Sequence, residues 1–306
     1  MKLSRSGFSP NAISRRSNLV INGLFWLYTI ACVFPLVLVI MISLTDDMSI
    51  LKHGYQLIPK AFSTMAYDLL FHDSAQIVHS YGVSVFVTVI GTLLSLLLTA
   101  TFAYPISRKE LPYRNSLAFF IFFTMLFNGG LVPWYLVYVK YLHLDNSIWA
   151  LMVPMLVQPF NILIMRTFFQ TTIPGALIEA ATIDGAGELR IFYRIVLPLS
   201  LPVIATIALF NTLMYWNDWF LSLIFISDNH TVSVQYLMYK TMLNIQYLTS
   251  NVQASEALTR GGGTVRLPSE SIRMAMAVIG IGPIILAYPF FQKYFVKGLT
   301  IGAVKG

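Results

Sequence analysis

Cysteine is nearly missing from this sequence: Cys32 stands alone among 306 residues. No intramolecular disulfide can form, and no thiolate metal site can be built from this chain by itself. Charge is scarce too, at 11% of residues against 57% hydrophobic ones, which excludes an ordinary water-soluble surface. What charge there is leans positive, with 20 Lys and Arg against 13 Asp and Glu. The basic residues form no dense run interleaved with aromatics, so nucleic acid is not an expected partner. The histidines, His53, His72, His79, His143 and His230, are scattered through connecting stretches and read as solvated loop residues, with no metal site among them. No glycine-rich phosphate cradle ending in Lys and Ser or Thr is present, since Gly261, Gly262, Gly263, Thr264 lacks the lysine. Nucleophile elbows and zinc-protease helices are missing as well. The chain is therefore expected to carry no catalytic site and no cofactor or metal of its own.

Long apolar runs are what the sequence has in abundance. A membrane-spanning helix needs about 20 apolar residues, because a rise of about 1.5 Å per residue must cover roughly 30 Å of hydrocarbon. Six windows qualify: 19–44, 80–106, 115–139, 146–165, 199–227 and 274–292. The first is twice the length of a signal-peptide core and lacks a small-x-small cleavage site, so it reads as an uncleaved span. The expected fold is all-α, a polytopic membrane protein with six transmembrane helices. An N-terminal segment, 1–18, precedes the six-helix domain, 19–296, and a tail, 297–306, follows it.

Lys and Arg set the orientation, because cytoplasmic segments retain an excess of them. Thirteen fall on the side that holds both ends of a six-span chain and seven on the other. Both termini are thus expected in the cytoplasm, with the bilayer of a bacterial cytoplasmic membrane as the solvent. The longest connections are 45–79 and 228–273 outside and 166–198 inside, and long connections are where a helix bundle places specific function. The second outside connection reads as an amphipathic helix over 232–258 followed by a flexible turn at Gly261, Gly262 and Gly263.

The inside connection 174–198 predicts two short helices. Pro174 and Gly175 punctuate the end of the fourth span, Ala176 to Ile183 contains no breaker, and Gly185 supplies a left-handed stop. A second helix from about Gly187 would place Leu189, Phe192 and Val196 on one face until Pro198 ends it. A helix with Ala180 and Ala181 presents little bulk, so its backbone can lie deep in a groove of a partner, with Glu179 reaching a basic group there. The pattern alone also fits an amphipathic loop lying on the inner leaflet.

The residues of this loop, Glu179, Ala180, Ala181, then Asp184, Gly185, Ala186, then Ile195, Leu197 and Pro198, closely resemble the EAA loop of the permease subunits of binding-protein-dependent ABC importers. In that family the loop docks into a cleft of the ATPase, and Glu179 and Gly185 match its most characteristic positions. The tail YFVKGLTIGAVKG, Tyr294 to Gly306, resembles that of carbohydrate importers related to the maltose importer, specifically its smaller permease. Lys297, Gly298 and Lys305 would then lie toward the ATPase. Spans two to six, the Trp216, Asn217, Asp218 cluster and 268–282 are also similar to that group, and within it to importers of larger oligosaccharides such as uronate or pectin fragments. The resemblance implies a type I ABC importer permease fold, a second, non-identical permease, two ATPase subunits that bind ATP and Mg, and an outside solute-binding protein. A sugar or oligosaccharide would be the cargo.

Polar groups in hydrocarbon are expensive and usually face protein or water. Asp218 is the one charge well inside a span, beside Trp216, Asn217 and Trp219, with Asn211 and Tyr215 one or two turns earlier. On a continuous helix Asn211, Tyr215 and Trp219 would share a face. Carboxylate, amide and rings together suit a sugar, whose hydroxyls need polar partners and whose C–H face stacks on a ring. An interfacial aromatic belt, with Asp218 capping or bonding a neighbouring helix, fits the same residues. Pro154 and Pro159 with Gln158 and Asn161 in the fourth span, and Asn128, Gly129, Gly130 and Pro133 in the third, predict breaks that either line a cavity or are filled by packing. A permease for a non-sugar solute stays open, as does an ion-coupled secondary transporter, for which one Asp in six spans is thin provision.

Overall fold

The computed structural model describes residues 14–72, 74–228, 230–250 and 270–303, and among these the fold is helical, with one isolated β-bridge between Thr45 and Phe62. The helices are α1 (Arg15–Ser43), α2 (Asp47–His53), α3 (Met65–Leu70), α4 (Ser74–Ser107), α5 (Arg114–Leu126), α6 (Leu131–Leu136), α7 (Pro159–Thr172), α8 (Gly175–Ile183), α9 (Glu188–Ile191), α10 (Leu197–Leu199), α11 (Leu201–Trp216), α12 (Phe220–Phe225), α13 (Val234–Ser250) and α14 (Glu270–Ala303). The glycine turn at 261–263 lies outside the described residues, as does Lys305.

The chain divides into two units. One holds α1 to α3 and the part of α14 through Ile279; the other holds α4 to α13 and α14 from Gly280 on. In the first, α1 is an apolar rod with its side chains exposed nearly all round, Leu24, Phe25, Trp26 and Leu27 among them, a surface suited to lipid and not to water. Beyond its end, Asp46 caps α2 by accepting from Ser49 N at 3.2 Å, and Ser43 Oγ meets Tyr67 OH at 2.8 Å. The start of α14 is strapped to this loop: Asp47 Oδ1 accepts from Ser271 N at 3.0 Å, and Tyr55 OH donates to Glu270 Oε2 at 2.8 Å. That bond to a carboxylate raises the Tyr55 pKa above its ordinary value.

The second unit is organised around α4, which is long and apolar enough to cross a bilayer in one piece. Ser80, Ser84, Thr88, Thr92, Ser95 and Thr99 recur along it at spacings of three and four and are all buried, so one face is a seam of small hydroxyls. Small side chains let helices approach closely. Gly91 on the same helix shows how closely: a Cβ there would lie 2.7 Å from Cζ of Tyr215 on α11. Ser95 Oγ accepts from Asn211 and Ser84 Oγ from Val234 N, but the hydroxyls of Thr88, Thr92 and Thr99 have no hydrogen-bond partner.

Windows three to five of the sequence are not single rods. The third bends by 113° between α5 and α6, where Gly130 takes φ +87° and Asn128 Oδ1 accepts from Gly130 N at 2.9 Å. The fourth is two short 3₁₀ turns, Ile148–Leu151 and Val153–Met155, bent by 49° from α7, with Pro154 in the second turn and Pro159 opening α7. The fifth breaks at both ends. Its entry bends by 79° at Ser200, and its exit stops at Trp216 before α12 begins. The sixth window lies within α14, which continues as helix through 297 and 298.

Candidate functional site

Three groups of side chains fall in the second unit, and each owes its place to a local stop signal. The first is the inside loop. α8 ends in a Schellman arrangement, with Ala186 N donating to Ala181 O at 2.9 Å and Gly185 N to Thr182 O at 3.0 Å. Gly185 supports it at φ +77°, a conformation that costs a side chain about 1–2 kcal/mol. Ile178 is the buried contact of α8, joining Ile162, Met165, Phe169, Ile191, Phe192 and Val196 in one apolar cluster, with Ala181 and Ala186 packed against it. The opposite face is open: Glu179, Ala180, Asp184 and Gly185 are exposed, and Ile183 is 85% exposed. A helix tip that turns a large aliphatic, a carboxylate and a bare backbone away from its own core is shaped to be received by another surface.

Beyond Gly185 the structure departs from the expected helix. The chain runs through α9, a π-helical turn at Phe192–Val196 and α10, so helix continues past Pro198 to Leu199. A π turn widens the repeat and rotates the faces. Ile191, Phe192 and Val196 consequently form the buried side, whereas Leu189 is 74% exposed and does not share it. Leu197 is half-buried and Pro198 exposed.

The second group is polar and internal. Asn161 on α7 donates to Asn211 Oδ1 at 2.9 Å, and Asn211 Nδ2 donates to Ser95 Oγ at 2.9 Å, joining α7, α11 and α4. Tyr215 OH donates to Met152 O at 3.0 Å, and Trp216 Nε1 to Gly280 O at 2.9 Å. All four sequence-selected residues are buried within the unit, where their polar atoms are satisfied by other helices. Trp219 does not follow Asn211 and Tyr215 on a common face, because α11 has ended; it packs on Tyr239 with centroids 4.3 Å apart. Asn217 is exposed and donates to Leu213 O, while Asp218 Oδ2 accepts from Leu221 N at 3.1 Å in the first turn of α12. Helix capping thus occupies one oxygen of the carboxylate.

The third group surrounds a cavity of about 340 Å³ at the place where the three bent spans break. Asn128, Gly130, Leu131 and Trp134 line it from the third, Pro154 and Met155 from the fourth, and Phe220 and Leu221 from the fifth. The volume lies at the lower end of the range for small-molecule sites, about 300–1,000 Å³. Asn128 alone of the sequence-selected path residues reaches it; half-buried Gln158 instead donates to Met155 O at 3.3 Å. Trp134 and Phe220 were not singled out from sequence, since nothing in an apolar run distinguishes a cavity-lining ring from a packed one. The proline and glycine breaks were the available signal.

A family model described as "Binding-protein-dependent transport system inner membrane component" matches residues 10–301. The chain belongs to this family. The permease is 40% identical over 96% of its length to the polygalacturonan/rhamnogalacturonan transport system permease protein YtcP of Bacillus subtilis, 99% of which is covered. It is 27% identical over 96% of its length to the trehalose/maltose transport system permease protein MalG of Thermococcus litoralis, covering 98% of that protein. Among solved structures, a chain of a bacterial ABC transporter involved in the import of the acidic polysaccharide alginate matches with a TM-score of 0.76 and 28% identity, over 93% of the permease and 99% of that chain. The ABC importer permease fold and a place in the inner membrane follow from these similarities.

Proposed function

We propose that this permease carries a sugar or oligosaccharide inward as one of two non-identical membrane subunits, powered by two separate ATPases and supplied by an outside binding protein. The observation that carries the reading is the exposed tip of α8, with Glu179 and Ala180 outward and Gly185 turning the chain at φ +77°. Six spans, both termini inside and an inward-facing 174–198 loop complete the topology, supported by the excess of Lys and Arg on that side. α14 would supply the sixth span, and its last turns, with Lys297 and Gly298, would lie near the ATPase.

The cavity at the three breaks is the proposed wall of the path. Trp134 and Phe220 offer ring faces and Asn128 an amide, which suits a pyranose, and no ionisable side chain lines it. The printed cargoes of the similar proteins, polygalacturonan, rhamnogalacturonan and alginate, point to an oligosaccharide. In mechanism, ATP would close the ATPase pair, α8 would follow as a lever, and the path would open outward to take sugar from its carrier. Only differential stabilisation of the outward and inward states by nucleotide and carrier makes the cycle directional.

Uptake of labelled oligogalacturonide into vesicles bearing the assembled complex tests this. Vanadate-sensitive uptake that needs the binding protein is the expected result. Uptake driven by a proton or sodium gradient and indifferent to ATP would exclude it.

A further inference from the structure

We propose that Glu188 is a positioning residue that clamps the ATPase-facing segment onto the inner end of α4, so that movement of α8 reaches the bundle instead of being absorbed at the Gly185 turn. The inference rests on the importer reading above.

Glu188 follows the turn Gly185, Ala186, Gly187 directly and opens α9. Its Oε2 accepts from Tyr104 OH, and its Oε1 from Arg108 Nη2 at 3.3 Å. Arg108 is held in turn by Glu110 at 3.4 Å, and the Tyr104 ring lies 5.0 Å from that of Phe192. Among the described residues, Glu188 carries the side-chain hydrogen bonds that run from 174–200 to any other element. Everything else that holds the segment is apolar, and apolar packing is non-directional, tolerating small slides. A carboxylate with a phenol and a guanidinium fixes both distance and angle.

The anchor it grips is itself fixed. The last carbonyls of α4, Ile106 O and Ser107 O, accept from Arg166 Nε at 3.2 Å and Gln170 Nε2 at 3.4 Å on α7. Two glycines before Glu188 make the turn the softest part of the lever. A load applied to Glu179 and Ala180 must cross that turn before it reaches α11, and Glu188 is the first residue beyond it with a directional hold.

The test uses the assembled importer in proteoliposomes, reading ATP hydrolysed and labelled oligogalacturonide taken up. Glu188→Arg should keep ATP hydrolysis while sugar per ATP falls about tenfold, the equivalent of one charge-assisted hydrogen bond. Adding Arg108→Glu should restore the ratio to within about twofold of wild type, which a purely structural role would not do. Glu188→Gln, which keeps the shape, should give an intermediate loss and serves if the charge reversal fails to assemble. A ratio unchanged in Glu188→Gln, or no recovery in the swap, overturns the clamp. Wild-type complexes that take up no sugar on ATP would bring down the importer reading instead. Hydrogen exchange at 185–191 in the purified chain then decides the clamp alone, faster exchange in Glu188→Gln supporting it and equal exchange overturning it.

Discussion

Asn161 donates to Asn211 at 2.9 Å across 50 residues of sequence, and Asn211 passes its own amide on to Ser95. Three long helices are thereby held by two polar bonds in a region where water offers no alternative. Replacing Asn211 with Leu leaves the Asn161 amide and the Ser95 hydroxyl each without that partner, at about 1–3 kcal/mol per buried group. The purified variant should unfold several degrees lower in detergent. Asn161→Ala combined with Asn211→Leu should cost less than the two separately, which a double-mutant cycle measures.

Gly91→Ala should be destabilising although alanine is the better helix former. The new Cβ would sit 2.7 Å from the Tyr215 ring, which its bond to Met152 O keeps from yielding. Overpacking of this kind costs about 1–3 kcal/mol. In a Tyr215→Leu background the same substitution should be nearly neutral, and thermal melts of the four proteins would show whether it is.

At the inside loop, Gly185→Asp meets no neighbour within 4 Å, so its effect is conformational: the φ of +77° disfavours any side chain. Membrane insertion should persist while co-purification of the ATPase weakens and uptake is lost. Glu179→Ala should weaken docking in the same direction. Uptake at wild-type level in both variants would contradict the docking assignment.

Asp218 permits a clean separation of two roles. Asparagine caps a helix as well as aspartate does, so Asp218→Asn should leave the melt within about 0.5 kcal/mol of wild type. If the residue acts as a cap alone, uptake also survives. A selective loss of uptake would assign the free carboxylate oxygen to the cargo.

The Tyr55 strap has a pH signature. Its phenol titrates above the ordinary value because Glu270 accepts its proton in a hydrogen bond, so the folded pKa exceeds the unfolded one. The sign follows: the contribution is fully present below pH 10.0, the unfolded value, and is lost as pH rises through the folded value. The stability difference between wild type and Tyr55→Phe should shrink over that alkaline range, followed by melts at stepped pH.

Much of this was legible in the residues. Apolar length alone located the helices, Asn128 to Gly130 and the prolines at 154 and 159 marked the breaks, and Gly185 marked the stop of α8. Face assignments fared worse. Asn211, Tyr215 and Trp219 align on an unbroken helix, but Asp218 is used to start a new one, and the π turn after Ile191 rotates Leu189 outward. Local propensity does not encode either event, because both depend on which polar group the surrounding helices leave unsatisfied. The partners of Glu188 were invisible for the same reason, lying 84 and 80 residues away.

Thr88, Thr92 and Thr99 hold three hydroxyls that are shut away and given nothing to bind. At about 1–3 kcal/mol each, they keep the packing along α4 short of its deepest attainable minimum. A bundle sealed by perfect satisfaction would resist every rearrangement equally. This one retains latent bonding capacity along its longest interior edge, so a second arrangement of the same helices need not start at an energetic disadvantage.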